Sequence, residues 1–298
     1  MQYSREEIHT PSGQSFRVLR WARNLREIEL LLDSGQARQI TGAGNHWHYH
    51  VEMELTLFTS GEGTRFAGDN ISPFAAGEVV LLGEKLPHHW HTRGPSSGLS
   101  VQWSFPPEHP FWSFPEALLL VPVFKRAGHG ILYHGAIAAA ITEGMREIVH
   151  STGLERLGVL LRLMSIVARA SETEQVTLSH RSFSLPTESR HQEAMSEAVR
   201  HLLAHFRDEI RLEEVLKLTQ MSKPAFSRQF KKHSGKTFSE FLSCLRLQAA
   251  CRELVETDRS VLEIALSCGY NQISFFNRIF RRTLGCSPSQ YRARERRN

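Results

Sequence analysis

The sequence predicts an α+β chain of two domains: a small N-terminal β-barrel or sandwich followed by a helical pair, then a C-terminal all-α domain. Three observations carry this. The chain has 298 residues, enough for two cores at about 100–200 residues each. Its hydrophobic pattern changes from short runs among turn clusters to spacings of three and four. Its charge is unevenly shared, with 20 Lys+Arg against 13 Asp+Glu in residues 186–298 and 16 against 18 in residues 1–185. The net charge of +5 therefore describes neither half, and 12 of the 16 His lie in the first. A basic C-terminal half points to a polyanionic partner. A hydrophobic fraction of 41% excludes a disordered chain.

Up to about residue 125, short runs at 54–59, 78–82 and 99–105 alternate with turn clusters at 60–63, 68–70 and 94–98. Short strands at such intervals predict a barrel or sandwich over residues 1–135. In residues 136–170 the period lengthens. Ile137, Ile141, Met145 and Ile148, then Leu154, Leu157, Leu161 and Met164, mark two amphipathic helices separated by Ser151-Thr152-Gly153. Their apolar stripes need cover, either from a second copy in a homodimer or from the outer surface of the barrel. Residues 171–188 are polar and Ser/Thr-rich and read as a linker. No run of 18 apolar residues and no signal-peptide core is present, so neither a membrane nor export is expected. Cys244, Cys251, Cys268 and Cys286 show no C-x-x-C spacing and read as reduced core thiols of a cytoplasmic protein.

Residues 189–298 read as helices throughout. In 211–235, Leu212, Val215 and Leu216 face inward, a turn follows at Gln220-Met221, and Ser222 is placed to cap a second helix near 222–234. Phe226 and Phe230, four apart, anchor that helix, and Gly235 ends it. About fifty residues on, Ile264 and Ala265, the turn Cys268-Gly269-Tyr270, and Phe276 with Phe280 repeat the pattern, with the second helix near 271–284. Residues 237–257 form one long helix between the units. Each unit has the grammar of a helix-turn-helix. Opposite the aromatic pairs stand Lys223, Pro224, Ala225, Ser227, Arg228, Lys231 and Lys232 on the first helix, and Asn271, Gln272, Ser274, Asn277, Arg278, Arg281 and Arg282 on the second. Arg228 and Arg278 suit guanine, Gln272 and Asn277 suit adenine, and the remaining cations suit phosphates. Arg292, Arg294, Arg296 and Arg297 read as a frayed basic tail.

The run Ala265-x-x-Cys268-Gly269-Tyr270-x5-Phe276-x3-Phe280, closing in Pro288-x-x-Tyr291-Arg292, resembles the AraC-type family of bacterial transcription regulators over roughly residues 190–296. The resemblance implies two helix-turn-helix units joined by a long helix, double-stranded DNA as partner, and recruitment of RNA polymerase by an activator. Pro224 and Ala225 depart from it, standing where several relatives carry larger polar or aromatic groups.

In the first half, His46, His48, His50, Glu52 and Glu54 would share one face of a continuous strand. The spacing Gly42-x5-His48-x-His50-x3-Glu54-x6-Gly61 resembles the first motif of the cupin superfamily. The second motif is partial: Gly77 and His88 are in place, while Gly83, Lys85 and Thr92 replace the usual Pro, Gly and Asn. The resemblance implies a cupin-like barrel with His48, His50, Glu54 and His88 as ligands, a set that suits Zn, Ni, Mn or Fe. The same cluster reads as the polar wall of an effector pocket for a sugar or organic acid, with His46 and Arg65 added, Arg65 either facing an anionic ligand or standing on the surface. His89 and His91 read as rim groups. Together the halves predict an effector-responsive transcription regulator that is not an enzyme. The alternative is a metal-dependent cupin enzyme, of isomerase or dioxygenase type, fused to a DNA-binding module.

Overall fold

The computed structural model describes residues 6–44, 47–181, 183 and 192–296. These form two compact units, Tyr3–Glu188 and one built on Ser189–Asn298. The first unit runs β1 (Phe16–Trp21), β2 (Glu27–Leu31), β3 (Ala37–Thr41), β4 (Met53–Ser60), β5 (Gly63–Ala67), β6 (Asn70–Phe74), β7 (Val79–Leu82), β8 (His88–Thr92) and β9 (Ser97–Trp103). Two short 3-10 turns follow, then α1 (Val121–Ala127), β10 (Ile131–Tyr133), α2 (Gly135–Ile148), α3 (Gly153–Ala168) and β11 (Gln175–Thr177). One antiparallel sheet has the order β11-β10-β7-β4-β9-β1-β2-β3, and a second has the order β6-β5-β8.

Strand alternation divides the larger sheet into two faces. Met53, Leu55 and Leu57 of β4, Val79 and Leu81 of β7, and Leu99, Val101 and Trp103 of β9 pack against the helices. Phe58, Val80 and Leu82 turn the other way and meet Ala67, Phe74 and Trp90 of the smaller sheet. Both faces are therefore covered, which explains why β4 and β7 are so apolar. Glu54, Thr56, Ser100 and Gln102 share the interior parity with Phe58, and Arg17 shares it with Leu19 and Trp21. A polar row is thus built into the inside of the unit.

The helices settle what covers their stripes. Ile141, Met145, Ile148, Leu163 and Met164 are buried in the same cluster as the outer face of the sheet. Each such burial contributes about 1.5–3 kcal/mol. These positions of the stripes pack on their own sheet. Leu154 departs from its expected stripe and is 83% exposed, with Leu161 44% exposed. The segment expected as a linker is also partly structured. Gln175–Thr177 pairs with β10, and Ser179 and the His180 amide donate to Asp69 at 2.7 and 3.0 Å. Val176 opposite Leu132 and the edge vacancy beside β10 give this polar stretch a ladder to join, which composition alone hides.

The second unit is helical: α4 (Gln192–His205), α5 (Leu212–Thr219), α6 (Lys223–Ser234), α7 (Phe238–Glu256), α8 (Val261–Ser267), α9 (Ile273–Leu284) and α10 (Pro288–Glu295). The pairs α5–α6 and α8–α9 are equivalent. The chain turns in the left-handed region in each, at Gln220 (φ 53) and at Gly269 (φ 84). Gly269 is required there, because a Cβ would lie 2.8 Å from the Arg207 carbonyl oxygen and 2.9 Å from that of Phe206. α7 starts on a capping box between Thr237 and Glu240, which satisfies two otherwise unpaired amides.

Candidate functional site

Two sites emerge, one in each unit. On α6, Phe226 and Phe230 are fully buried, 5.2 Å apart between ring centroids. The chain presents Lys223, Pro224, Ser227, Arg228, Lys231 and Lys232 to solvent, with Ala225 half-buried. On α9, Phe276 and Phe280 are fully buried at 5.4 Å, while Ser274, Asn277, Arg278, Arg281 and Arg282 are exposed, as are Gln272 at its N-cap and Asn271 just before it rather than within the helix. Each helix therefore combines an apolar anchor with a polar, cationic outer face. Phe275 went unnoticed in the sequence because it is adjacent to a core aromatic. It is 41% exposed, and the Arg278 guanidinium lies over its ring at 5.2 Å from the centroid.

Other cations of this unit are committed internally. Glu253, on α7, accepts from Arg207 at 2.7 Å and Arg259 at 2.8 Å. The expected frayed tail is instead α10 and its C-cap. Arg292 donates to the Leu254 carbonyl at 2.9 Å, and Arg296 donates to the Val255 carbonyl at 3.0 Å and to Asp258 at 2.7 Å. These cations satisfy the unpaired carbonyls at the end of α7 and complement its dipole. Arg297 lies outside the described residues.

In the first unit, three buried imidazoles converge. Donor atoms of His48, His50 and His88 all lie within 4.8 Å of one another. A continuous strand does not place them, because the chain bends at Val51-Glu52 before β4 begins. His48 instead bridges to His88 at the start of β8. Glu54 closes the group, 2.9 Å from His50 Nε2 and 3.8 Å from His88 Nε2. Glu52 lies to one side, 3.7 Å from His50 Nδ1. His46 lies outside the described residues.

The protonation of these groups is set by each other. Burial works to lower the His50 pKa, but the hydrogen bond and charge of Glu54, with Glu6 and Glu52 behind it, raise it. Burial works to raise that of Glu54, yet His50, His88 and Thr56 hold it well below the usual range. His88 is pushed well down by burial and by the neighbouring His48 and His50. Its Nδ1 donates to the Leu86 carbonyl at 2.8 Å, so Nε2 carries a lone pair. That buried Nε2 has no hydrogen-bond partner among the described residues. A buried unsatisfied imidazole nitrogen is costly, and a cation coordinated there would satisfy it. The donor set of three nitrogens and a carboxylate fits a divalent transition metal.

Three further residues join this site that sequence reasoning missed. Arg17, Gln102 and Glu54 stand directly across β1, β9 and β4 from one another. Arg17 donates to the Gln102 side-chain oxygen, and Gln102 donates to Glu54 at 2.6 Å. Arg17 also holds Glu6 at 3.0 Å, whose other oxygen is 3.5 Å from His48 Nε2. The interior space beside this row has a volume of about 30 Å³ and is lined by Glu6, His48, Glu54 and Trp90 among others. Arg65 does not join it: its guanidinium is paired with Glu78 and donates to Ser72 at 2.6 Å. An internal carboxylate thus takes the place of the anionic ligand expected there. His89 is buried and stacked on Phe66 at 5.2 Å rather than on a rim.

Residues 215–294 match the helix-turn-helix domain family. Over 102 residues the chain is 35% identical to the regulatory protein PocR of Salmonella typhimurium, a match spanning 34% of each chain. It is 24% identical to the HTH-type transcriptional activator RhaR of Mannheimia succiniciproducens over 261 residues, 83% of this chain and 87% of that one. Among solved structures, the DNA-binding domain of AdpA in complex with a target DNA is similar at 33% identity, covering 35% of this chain and 94% of that chain, with a TM-score of 0.34. No helix among the described residues is long and apolar enough to cross a membrane.

Proposed function

We propose that this chain is an AraC-family helix-turn-helix transcriptional regulator that reads DNA through α6 and α9 under the control of its N-terminal unit. One observation carries the reading. Two equivalent helices each bury a Phe-x3-Phe pair and expose hydroxyls and cations on the opposite side, with exposed amides added at α9. Lys223, Lys231, Lys232, Arg281 and Arg282 supply phosphate contacts, and Arg228, Gln272, Asn277 and Arg278 supply base contacts. Pro224, Ala225, Ser227, Asn271 and Ser274 complete the two surfaces. With α7 between them, the two helices would enter successive major grooves about 34 Å apart. Selection of the full chain on random duplexes should return a site with two half-sites about one helical turn apart; unselective binding would overturn the reading.

In the N-terminal unit we read a cupin-like barrel. His48, His50, Glu54 and His88 would hold a divalent metal, Zn, Ni, Mn or Fe, which would act as an electrophilic anchor for an oxygen ligand. Gln102 orients Glu54, and the Leu86 and Glu52 carbonyls fix the His88 and His50 rings. A space of about 30 Å³ is the share of liquid occupied by about one water. An ion with one water suits this conformation, whereas a sugar or organic acid would require the interior to open. Effector control then depends on preferential binding to one of two conformations. The relatives named above include a regulatory protein and a transcriptional activator, which favours a sensor over an enzyme.

A second copy fits the exposed face of α3, where Leu154, Gly158, Leu161 and Ser165 follow one another at four-three-four spacing. An antiparallel partner would set Glu155 near Arg162 of that copy. A homodimer would present four recognition helices to one operator. Activation through RNA polymerase in a bacterial cytoplasm completes the reading.

A further inference from the structure

Glu6 comes from the N-terminal segment, 42 positions before His48, and belongs to no part of the His-x-His-x3-Glu pattern. It is nonetheless aimed at the imidazole cluster. Its amide donates to the Tyr49 carbonyl at 2.9 Å, which pins the segment beside His48. One carboxylate oxygen is held by Arg17 at 3.0 Å, and the other faces His48 Nε2 at 3.5 Å. Its side chain is 18% exposed, and it lines the same interior space as His48 and Glu54.

We infer that Glu6 is a fifth protein donor to a divalent cation held by His48, His50, Glu54 and His88, so that cation binding and seating of the N-terminal segment are coupled. This rests on the metal reading above. The separations support it. Donors sharing one ion at bonds of 2.0–2.2 Å stand about 2.8–3.6 Å apart at 90–110°. Glu6–His48 at 3.5 Å and Glu54–His50 at 2.9 Å fall within that range, and Glu54–His88 at 3.8 Å falls just beyond it; the donors that all stand within 4.8 Å of one another are the three imidazoles, so a bound cation would have to draw both carboxylates inward. The row Glu6–Arg17–Gln102–Glu54 holds both carboxylates in place from behind. Arg17 also offsets their combined negative charge. Because Glu6 is the one donor contributed by the N-terminal segment, before β1 begins, it is the donor that the segment can deliver or withdraw. A bound cation would draw the segment in, and a seated segment would tighten the cation.

The test uses the full chain with Zn(II) or Co(II) alone as probe. Calorimetric titration of the wild type should give one Zn(II) per chain, with Glu6→Gln binding at least about tenfold more weakly. The Co(II) visible absorption should differ between the two, since removing a donor changes the coordination. Hydrogen exchange at the Glu6 amide should slow on adding Zn(II) in the wild type, with little change at the same position in Glu6→Gln. A Glu6→Gln chain with wild-type affinity, Co(II) spectrum and exchange response would overturn the inference while leaving the four-ligand site standing. A wild type that takes up no Zn(II) or Co(II) while His88→Ala behaves identically would overturn the metal reading, and this inference with it.

Discussion

Arg278 lies over the exposed ring of Phe275, one helical turn away on α9, at 5.2 Å from the ring centroid. A stacked guanidinium loses less freedom when its planar fork meets a guanine edge. Arg278→Ala should weaken specific DNA binding by about 1–3 kcal/mol and relax the preference at one base pair. Phe275→Ala should produce a smaller loss at the same base pair. Affinity measured on a panel of single-base operator variants checks both; equal losses on every sequence would make Arg278 a phosphate contact.

The five Trp residues all fall between positions 21 and 112, so tryptophan fluorescence follows the N-terminal unit alone. Free Zn(II) at 100 times its dissociation constant should stabilise that unit by about 2.7 kcal/mol. A chelator should reverse the gain, and His88→Ala should remove it. Fluorescence-monitored melting with and without the metal reads the shift directly.

Burial lowers the pKa of His233, on α6, to about 3. Its folded pKa lies below the unfolded value, so the unfolded chain binds more protons between the two. The contribution is therefore present above about pH 6.5 and lost as the pH falls. Between pH 7 and pH 5 the loss should approach about 2 kcal/mol, at 1.36 kcal/mol per pH unit. Urea melts of the C-terminal unit followed by circular dichroism should show this slope in the wild type and a shallower one in His233→Gln.

Gly269→Ala should destabilise the second helix-turn-helix, because φ is +84° and the new Cβ would meet two backbone carbonyls at under 3 Å. A loss of about 2 kcal/mol or more is expected. Gln220, at the matching turn, already carries a side chain at φ 53. Gln220→Gly should therefore be nearly neutral or stabilising, and paired denaturant melts distinguish the two turns.

The helices α6 and α9 were legible because their signals are local. Phe226 with Phe230, and Phe276 with Phe280, announce a buried face within one turn. His48, His50, Glu54 and His88 were also legible from spacing, although the strand invoked to align them breaks at Val51-Glu52. Glu6, Arg17 and Gln102 left no such trace. Arg17 within FRVLRW and Gln102 within SGLSVQW look like the outward polar positions of half-buried strands. In β9 the apolar alternates face the helices and the polar ones face the interior, and in β1 Arg17 shares the interior face with Leu19 and Trp21, an arrangement that only the covering helices α1–α3 create. The helical stripes were only partly legible, since Ile141, Met145, Ile148 and Met164 pack on the sheet while Leu154 and Leu161 stay exposed.

The capping of α7 by Arg292 and Arg296 has a thermodynamic consequence for salt titrations. Cations already bonded to carbonyls and to Asp258 release few counterions from DNA, so formal charge overstates the electrostatic contribution of this unit. The five cations assigned to phosphates set a slope of log K against log salt of about −4.5 per DNA-binding unit. A titration that counted every arginine of α10 as well would be markedly steeper.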